Sequence, residues 1–456
     1  HEATHGLLLC LVLVLACAAW IERPSRAKAG VSGFLFGISA LLKLEILGAA
    51  LTVTFAAIGI AARRRRRIFA ADALTWLTAA AAPTAICASC FRLAVPWGAA
   101  FAFASHGWLP TSDFKAYTDT AIQWQFLGFD HPLQHLRDHL IAVAVALGAI
   151  GAVALCGWLA GRGKAPLALA PALAILWLSL AEMQWLSAGK CLFGLTLIYL
   201  TIEIARQGRC VENQPAVTTR LLLATLAAAL MSRMILNGRI FQYGFYQAAV
   251  AGALIPAVIV GELPVWLGGQ RRIRAVVAAC GALLLLPGIV FLSIDSHRIL
   301  AAKVLPVGEG LDRFYSFGPG VDRTGALVEV ARERLADSAA ASLLVLPEGV
   351  SINYLTRTPG PVPQNAFYSA ATAGGREREI VERLRERPPE RIVLIRRPLF
   401  EYGIRRYGEG TGSGKQIMDW VNANYLPELE VGADPLDPKK GGVWILKPAT
   451  PAHSGN

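Results

Sequence analysis

The stretch at 39–51, SALLKLEILGAAL, sets a lysine and a glutamate, Lys43 and Glu45, inside an otherwise apolar run. An ionisable side chain within a membrane segment is by default a mark of function. Two residues apart, the pair falls on opposite sides of a helix and cannot bond along it, so each needs its own partner or water. The alternative is a snorkelling lysine and a solvated interfacial glutamate, and for Glu45 that is the reading adopted.

Other residues could join them. MSRMILNGRIFQYGFYQ at 231–247 carries Arg233 and Arg239 with Tyr243 and Tyr246 close by. Arginine forms forked bonds to phosphate, and aromatic rings settle at the membrane interface, so the segment suits the phosphate of a lipid carrier or, read blandly, an anchoring belt. Glu182, in LSLAEMQWL, is expected to face other helices or a cavity, pairing with an arginine of the bundle. FDHPLQHLRDHL at 129–140 spaces His131, His135 and His139 four apart, on one helical face, with Asp130 as the expected N-cap. Such spacing can hold zinc, but no glutamate of a catalytic motif lies between the histidines, and an amphipathic lead-in to the next apolar helix is the preferred reading. Glu2 is a weak acid/base candidate at the first helix edge. GEGTGSGK at 408–415 imitates a phosphate loop, yet Glu409 and Gln416 occupy positions where the pattern needs glycine and a hydroxyl residue. It reads as a turn. No Gly-x-Ser-x-Gly elbow occurs.

The elements that must hold these residues are apolar. Of 456 residues, 54% are hydrophobic and 17% charged, against about a quarter charged in an ordinary soluble domain. Runs at 140–160, 165–180 and 275–292 approach or reach the length of a bilayer crossing. The net charge of +12 argues for topology and against nucleic acid. Residues 1–294 hold 23 Lys and Arg against 12 Asp and Glu, whereas 295–456 hold 21 against 20. The excess lies in short clusters at 23–28, 63–67, 162–164, 206–220 and 271–274, as cytoplasmic loops do. All eight cysteines lie before residue 295, mostly in apolar runs where cysteine acts as a small hydrophobe; Cys87-x-x-Cys90 lacks the βαβ setting of a redox pair.

Placing each basic cluster inside gives about ten crossings. The run between Lys28 and Arg63 is too long for one straight pass and has cytoplasmic charge at both ends, which predicts two short helices bent near Lys43 at the outer face. The expected architecture is a polytopic helical membrane module over 1–294, followed by a small extracytoplasmic α/β domain over 295–456. In that tail the predicted helices are 325–337, 376–387 and 415–424. The predicted strands are 342–346, 391–395 and 443–446, and SLLVL and RIVLI are continuously apolar, as buried parallel strands are.

The arrangement resembles the GT-C superfamily of membrane glycosyltransferases, in the protein O-mannosyltransferase and aminoarabinose-transferase-like group. GISALLK at 37–43 is similar to a Gly-Leu-Ala-x-Leu-Thr-Lys stretch of that group, with Leu42 where threonine is usual. LLVLPEGVSINYLTRTPGP (343–361), ERIVLIRRPLFEYG (390–403) and IMDWVNANY (417–425) look like the tails of its bacterial members. The resemblance implies a multi-pass enzyme of the bacterial inner membrane. It would move a sugar from a polyprenyl-phosphate donor to a lipid, glycan or protein acceptor on the outer side, among membrane lipids as neighbours. Lys43, Arg233 and Arg239, with Glu182 and Tyr243, are the expected substrate-binding residues. The family's catalytic carboxylate belongs to a first outer loop that would precede His1, so the catalytic base is unassigned here and the fragment is expected to be inactive alone. No cofactor is certain; a divalent metal is the one candidate. The competing class is a transporter or lipid flippase with an outer accessory domain, for which paired broken helices in two halves are expected and only the run at 30–62 is broken.

Overall fold

A computed structural model describes residues 2–65, 70–105, 124–125, 127–181, 187–209, 215–238, 244–336, 340–368, 372, 376–410, 413–437 and 439–449. The chain forms two compact units that part between Leu292 and Ser293.

The first unit is helical: α1 (Glu2–Glu22), α2 (Arg26–Ala40), α3 (Leu44–Arg65), α4 (Ala70–Arg92), α5 (Trp97–Ser105), α6 (Pro132–Gly161), α7 (Leu169–Ala181), α8 (Gly189–Arg209), α9 (Pro215–Met231), α10 (Gly244–Ala257), α11 (Leu263–Trp266) and α12 (Arg271–Ala301). Among the described residues seven helical stretches are long and apolar enough to cross a membrane: Thr4–Glu22, Leu44–Arg64, Ala70–Arg92, Pro132–Gly161, Pro215–Met234, Phe245–Trp266 and Arg271–Ala301. The protein is a multi-pass membrane protein.

The run between Lys28 and Arg63 is a helical hairpin, α2 and α3, broken at Leu41–Lys43. Ser25 opens α2 by accepting from the Lys28 backbone N–H at 3.3 Å, and Lys28 Nζ donates to the carbonyls of Ala19 and Arg23 at the end of α1. One basic cluster is therefore also a helix-terminus device, satisfying carbonyls that α1 leaves without intrahelical partners. The hairpin lies hard against α4, because a Cβ on Gly33 or Gly37 would meet the carbonyl oxygens of Trp76 and Ala80 at 2.3 and 2.2 Å. Cys10, Leu13 and Cys17 of α1, Ile46, Ala50 and Val53 of α3, and Leu222, Leu226 and Leu230 of α9 form one buried cluster. Val153 and Cys156 of α6, Ile175 of α7, Ile259, and Val277 and Cys280 of α12 form a second.

Pairings at both termini fix how α3 and α9 run. Glu45 is ion-paired with Arg233, and Arg64 Nη2 donates to Thr218 Oγ1 at 2.6 Å. The two helices are antiparallel, and from Glu45 to Arg64 the axis advances about 28 Å. That is close to the roughly 30 Å hydrocarbon core of a bilayer.

The second unit is an α/β domain. A hairpin of β1 (Leu305–Val307) and β2 (Phe314–Ser316) precedes α13 (Thr324–Ala336), β3 (Leu343–Leu346), α14 (Val350–Thr356), α15 (Arg376–Glu386), β4 (Arg391–Ile395), α16 (Lys415–Asn424), β5 (Tyr425–Gly432) and β6 (Gly442–Pro448). The main sheet has the order β3-β4-β6-β5, with β3 and β4 parallel and the other neighbours antiparallel. Leu344, Ile392 and Leu446 pack on one face with Ile380 and Leu384 of α15 and Ile417 and Val421 of α16. Val345, Val393 and Ile445 pack on the other with Leu327 and Ala331 of α13 and Ile352 of α14. Burial on both faces is why β3 and β4 are unbroken apolar runs.

Candidate functional site

Among the described residues the ion pairs of the membrane unit lie toward its two ends. At the end that carries the hairpin turn, Glu45 stands in the first turn of α3 and Arg233 in the 3-10 turn Ser232–Met234 that closes α9. An acid at a helix N-terminus and a base at a helix C-terminus are each favoured by the local dipole, so antiparallel packing gives this pair two electrostatic reasons to form. The side chains are 23% and 33% exposed. Glu45 is not simply solvated at the tip, as its sequence setting implied; it has a specific partner on α9. Lys43 is the last residue of the turn, half-buried, and its carbonyl accepts from the Leu47 N–H at 2.9 Å.

The same rim continues. Lys190, in the first turn of α8, donates to Asp138 of α6 at 3.0 Å. The chain after Arg233 passes backbone to backbone over α8: Gly238 has φ +60, and a Cβ there would meet Lys190 N and Cα at 2.8 Å. Leu236 N donates to Leu127 O at 3.2 Å and Asn237 Nδ2 to Gln125 O at 3.0 Å. Arg233, Lys190, Asp138 and the lead-in to α6 are thereby tied into one rim by the segment 232–238.

The three histidines belong to this lead-in. His131 itself, not Asp130, is the N-cap residue, and it caps with no side-chain bond. Asp130 is instead 3.1 Å from His135 Nε2, and His139 Nδ1 lies 2.9 Å from the His135 carbonyl oxygen. Among the described residues no three His, Cys, Asp or Glu side chains are placed to hold a metal ion. Glu2 lies in the first turn of α1, whereas Arg239, Glu182 and Tyr243 lie outside the described residues. Of the residues singled out from sequence, the structure brings Arg233 to the turn that carries Lys43.

The opposite end holds a network that sequence reading missed. Glu262 accepts from Tyr199 Oη at 2.6 Å and from Arg206 Nη1 at 3.0 Å, and it pairs with Arg220 Nε at 3.1 Å. Arg206 also donates to Glu203 Oε1 at 2.6 Å, and its guanidinium lies 4.8 Å from the Trp266 ring centre. Glu203 is fully buried. Glu262 ends a π-helical turn, Val258–Glu262, between α10 and α11, a distortion that often marks function. The available signal was two acids inside apolar runs, Glu203 three residues before Arg206 and Glu262 alone.

Of the 408–415 stretch, the described residues 408–410 and 413–414 are turns and bends that lead into α16 at Lys415. The start of α16 already has an anion: buried Glu377 Oε1 accepts from the backbone N–H groups of Gln416 and Ile417 at 2.6 and 3.4 Å, while Lys415 pairs with Asp419. A helix N-terminus whose first turn already holds a carboxylate is a poor place for a second anion such as phosphate.

The chain matches no protein-family profile, no curated protein and no solved structure.

Proposed function

We propose that the protein is a membrane glycosyltransferase of the GT-C kind, transferring a sugar from a polyprenyl-phosphate donor to an acceptor on the outer side of the bacterial inner membrane. The observation that carries the reading is the Glu45–Arg233 pair, which brings an arginine to the broken hairpin beside Lys43. Glu45 orients the guanidinium. Lys43 and the remaining N–H groups of Arg233 then supply positive charge for the departing carrier phosphate, the main electrostatic demand of such a transfer. The positive-inside rule puts the Arg64 end in the cytoplasm and the rim outside, and the same rule with the short helices α2 and α7 and the 21-residue α8 gives about ten crossings and an extracytoplasmic α/β domain. Arg239, Tyr243 and Glu182 remain candidate partners of the donor.

The test is saturable binding of a polyprenyl phosphate to the protein in nanodiscs. Arg233→Ala and Lys43→Ala are expected to weaken binding by roughly tenfold each, as loss of a charge-assisted hydrogen bond does. Absence of binding by the folded wild type overturns the reading.

One observation favours transport as the second reading: the Glu203–Arg206–Glu262 network with its π turn. Polar clusters at both ends of one bundle are what a path between faces would require. Uptake of a polyprenyl phosphate across proteoliposomes, lost in Glu262→Gln, would put that reading first.

A further inference from the structure

In the α/β domain the chain leaves β3 toward one face of the sheet, where α14 packs through Ile352. It leaves β4 toward the other, where Leu399 and α16 pack. Crevices outside the carboxyl ends of such strands, where connections diverge, are where open α/β sheets take ligands. Glu348 stands just past β3 and Arg397 just past β4, and they meet there. Arg397 Nε donates to Glu348 Oε2 at 2.9 Å, and the Tyr368 hydroxyl donates to the same oxygen at 2.7 Å. Both bonds land on Oε2; among the described residues Oε1 takes none.

Three features define what this place would hold. The carboxylate is fixed by two donors yet keeps an oxygen able to accept hydrogen bonds, and its side chain is 37% exposed. Arginine and carboxylate cancel, so a charged ligand gains little from the pair and a neutral one with both donors and acceptors gains most. Aromatic surface adjoins through Tyr402, which lies 4.8 Å from Tyr368 between ring centres, tilted at 51°; Phe400, in the same 3-10 turn as Tyr402, is 69% exposed. Burial, and then the bond to Glu348, push the Tyr368 phenol above its ordinary value, so it stays a donor.

We infer that Glu348, Arg397 and Tyr368 form a binding site for a neutral sugar ring, whose hydroxyls donate to Glu348 Oε1 and whose apolar face rests on the Phe400–Tyr402 surface. This deepens the proposed transfer by giving the acceptor a chemical class, and it rests on that reading for its biological role but not for its chemistry.

The experiment uses the full chain in nanodiscs and a panel of methyl glycosides of neutral hexoses and pentoses, with binding read by saturation-transfer NMR. At least one glycoside is expected to bind saturably, and Glu348→Gln, which keeps the shape and removes the charge, is expected to weaken it roughly tenfold to a hundredfold. Tyr368→Phe is the second variant, expected to act in the same direction while leaving the carboxylate in place. Polyprenyl-phosphate binding is measured on the same samples and is expected to be unchanged by either substitution. No saturable binding to any glycoside by the wild type, or equal binding by both variants, overturns the site. Absence of lipid binding by the wild type with sugar binding retained would overturn the transfer reading alone.

Discussion

Glu45 and Arg233 are each partly buried, and each would be left as an uncompensated charge if the other were removed. Either single alanine substitution is therefore expected to destabilise the bundle more than the double substitution would suggest. A double-mutant cycle read by thermal unfolding in detergent should give a coupling of about 1–2 kcal/mol, and a value near zero would mean the contact is a solvated rim pair. In the α/β domain the sign of a pH effect can be worked out. The Arg332 guanidinium, bonded to Glu329 at 2.8 and 3.0 Å, together with the Gly308 N–H at 2.9 Å, holds the Glu329 carboxyl below its ordinary value against the opposing effect of burial. A depressed carboxyl contributes stability above its unfolded value of about 4.3 and loses it as pH falls through the folded one. Wild type minus Glu329→Gln in melting temperature should thus be largest above about pH 5 and shrink on acidification. At this scale the sequence was legible in types more than in partners. Lys43, Glu45 and Arg233 stand out against apolar neighbours, but which acid meets which base depends on helices far apart in the chain. Glu203 and Glu262 were hidden because the nearby arginines already had an explanation as a topology signal.

The elements themselves were written more plainly. β4 and α16 run over the residues that their periodicity predicts, because β4 is buried on both faces and α16 is amphipathic. β5 was not legible: it is an edge strand with Pro427, Glu428 and Glu430, and such residues are what an unpaired edge uses to refuse a partner. The helix α14 was missed because seven residues are too few to show a period, and Arg357, at φ +57, ends it in the left-handed region. The start of α16 yields a prediction of its own. Glu377→Ala removes the acceptor for two buried-end N–H groups, and unfolding of the α/β domain should show a loss of about 1–2 kcal/mol, as for other lost caps. No loss would mean that water replaces the carboxylate there. Gly238→Ala should cost at least as much in the membrane unit, since it adds a Cβ against the Lys190 backbone at a positive φ; undiminished thermal stability would show that segment 232–238 can move aside.

For the whole molecule, the antiparallel fit of α3 and α9 is a statement about the bilayer. Lys43→Cys and Arg64→Cys, in a background free of other cysteines, are expected to react with a membrane-impermeant thiol reagent from opposite sides. Labelling of both from one side would mean that the α3 helix does not cross. The division into an apolar helical unit and an α/β unit was readable from charge and hydropathy alone, because a bilayer and water demand different compositions. How many helices pass through was less so. Short pieces such as α7, with 13 residues, and α2, with 15, are below the length at which composition alone decides.

The bond from Arg64 to Thr218 joins residues 154 apart. At a synthesis rate of about 5–20 residues per second, roughly 8–30 seconds pass between the emergence of one partner and the other. Throughout that interval the α2–α3 hairpin is already made, and both Arg64 and Glu45 must wait for helix α9. Their positions at the two ends of α3, and not at its middle, let headgroups and water stand in until the partner arrives. The order of synthesis thus imposes its own demand on where a long-range polar pair can lie, and both pairs between α3 and α9 meet it.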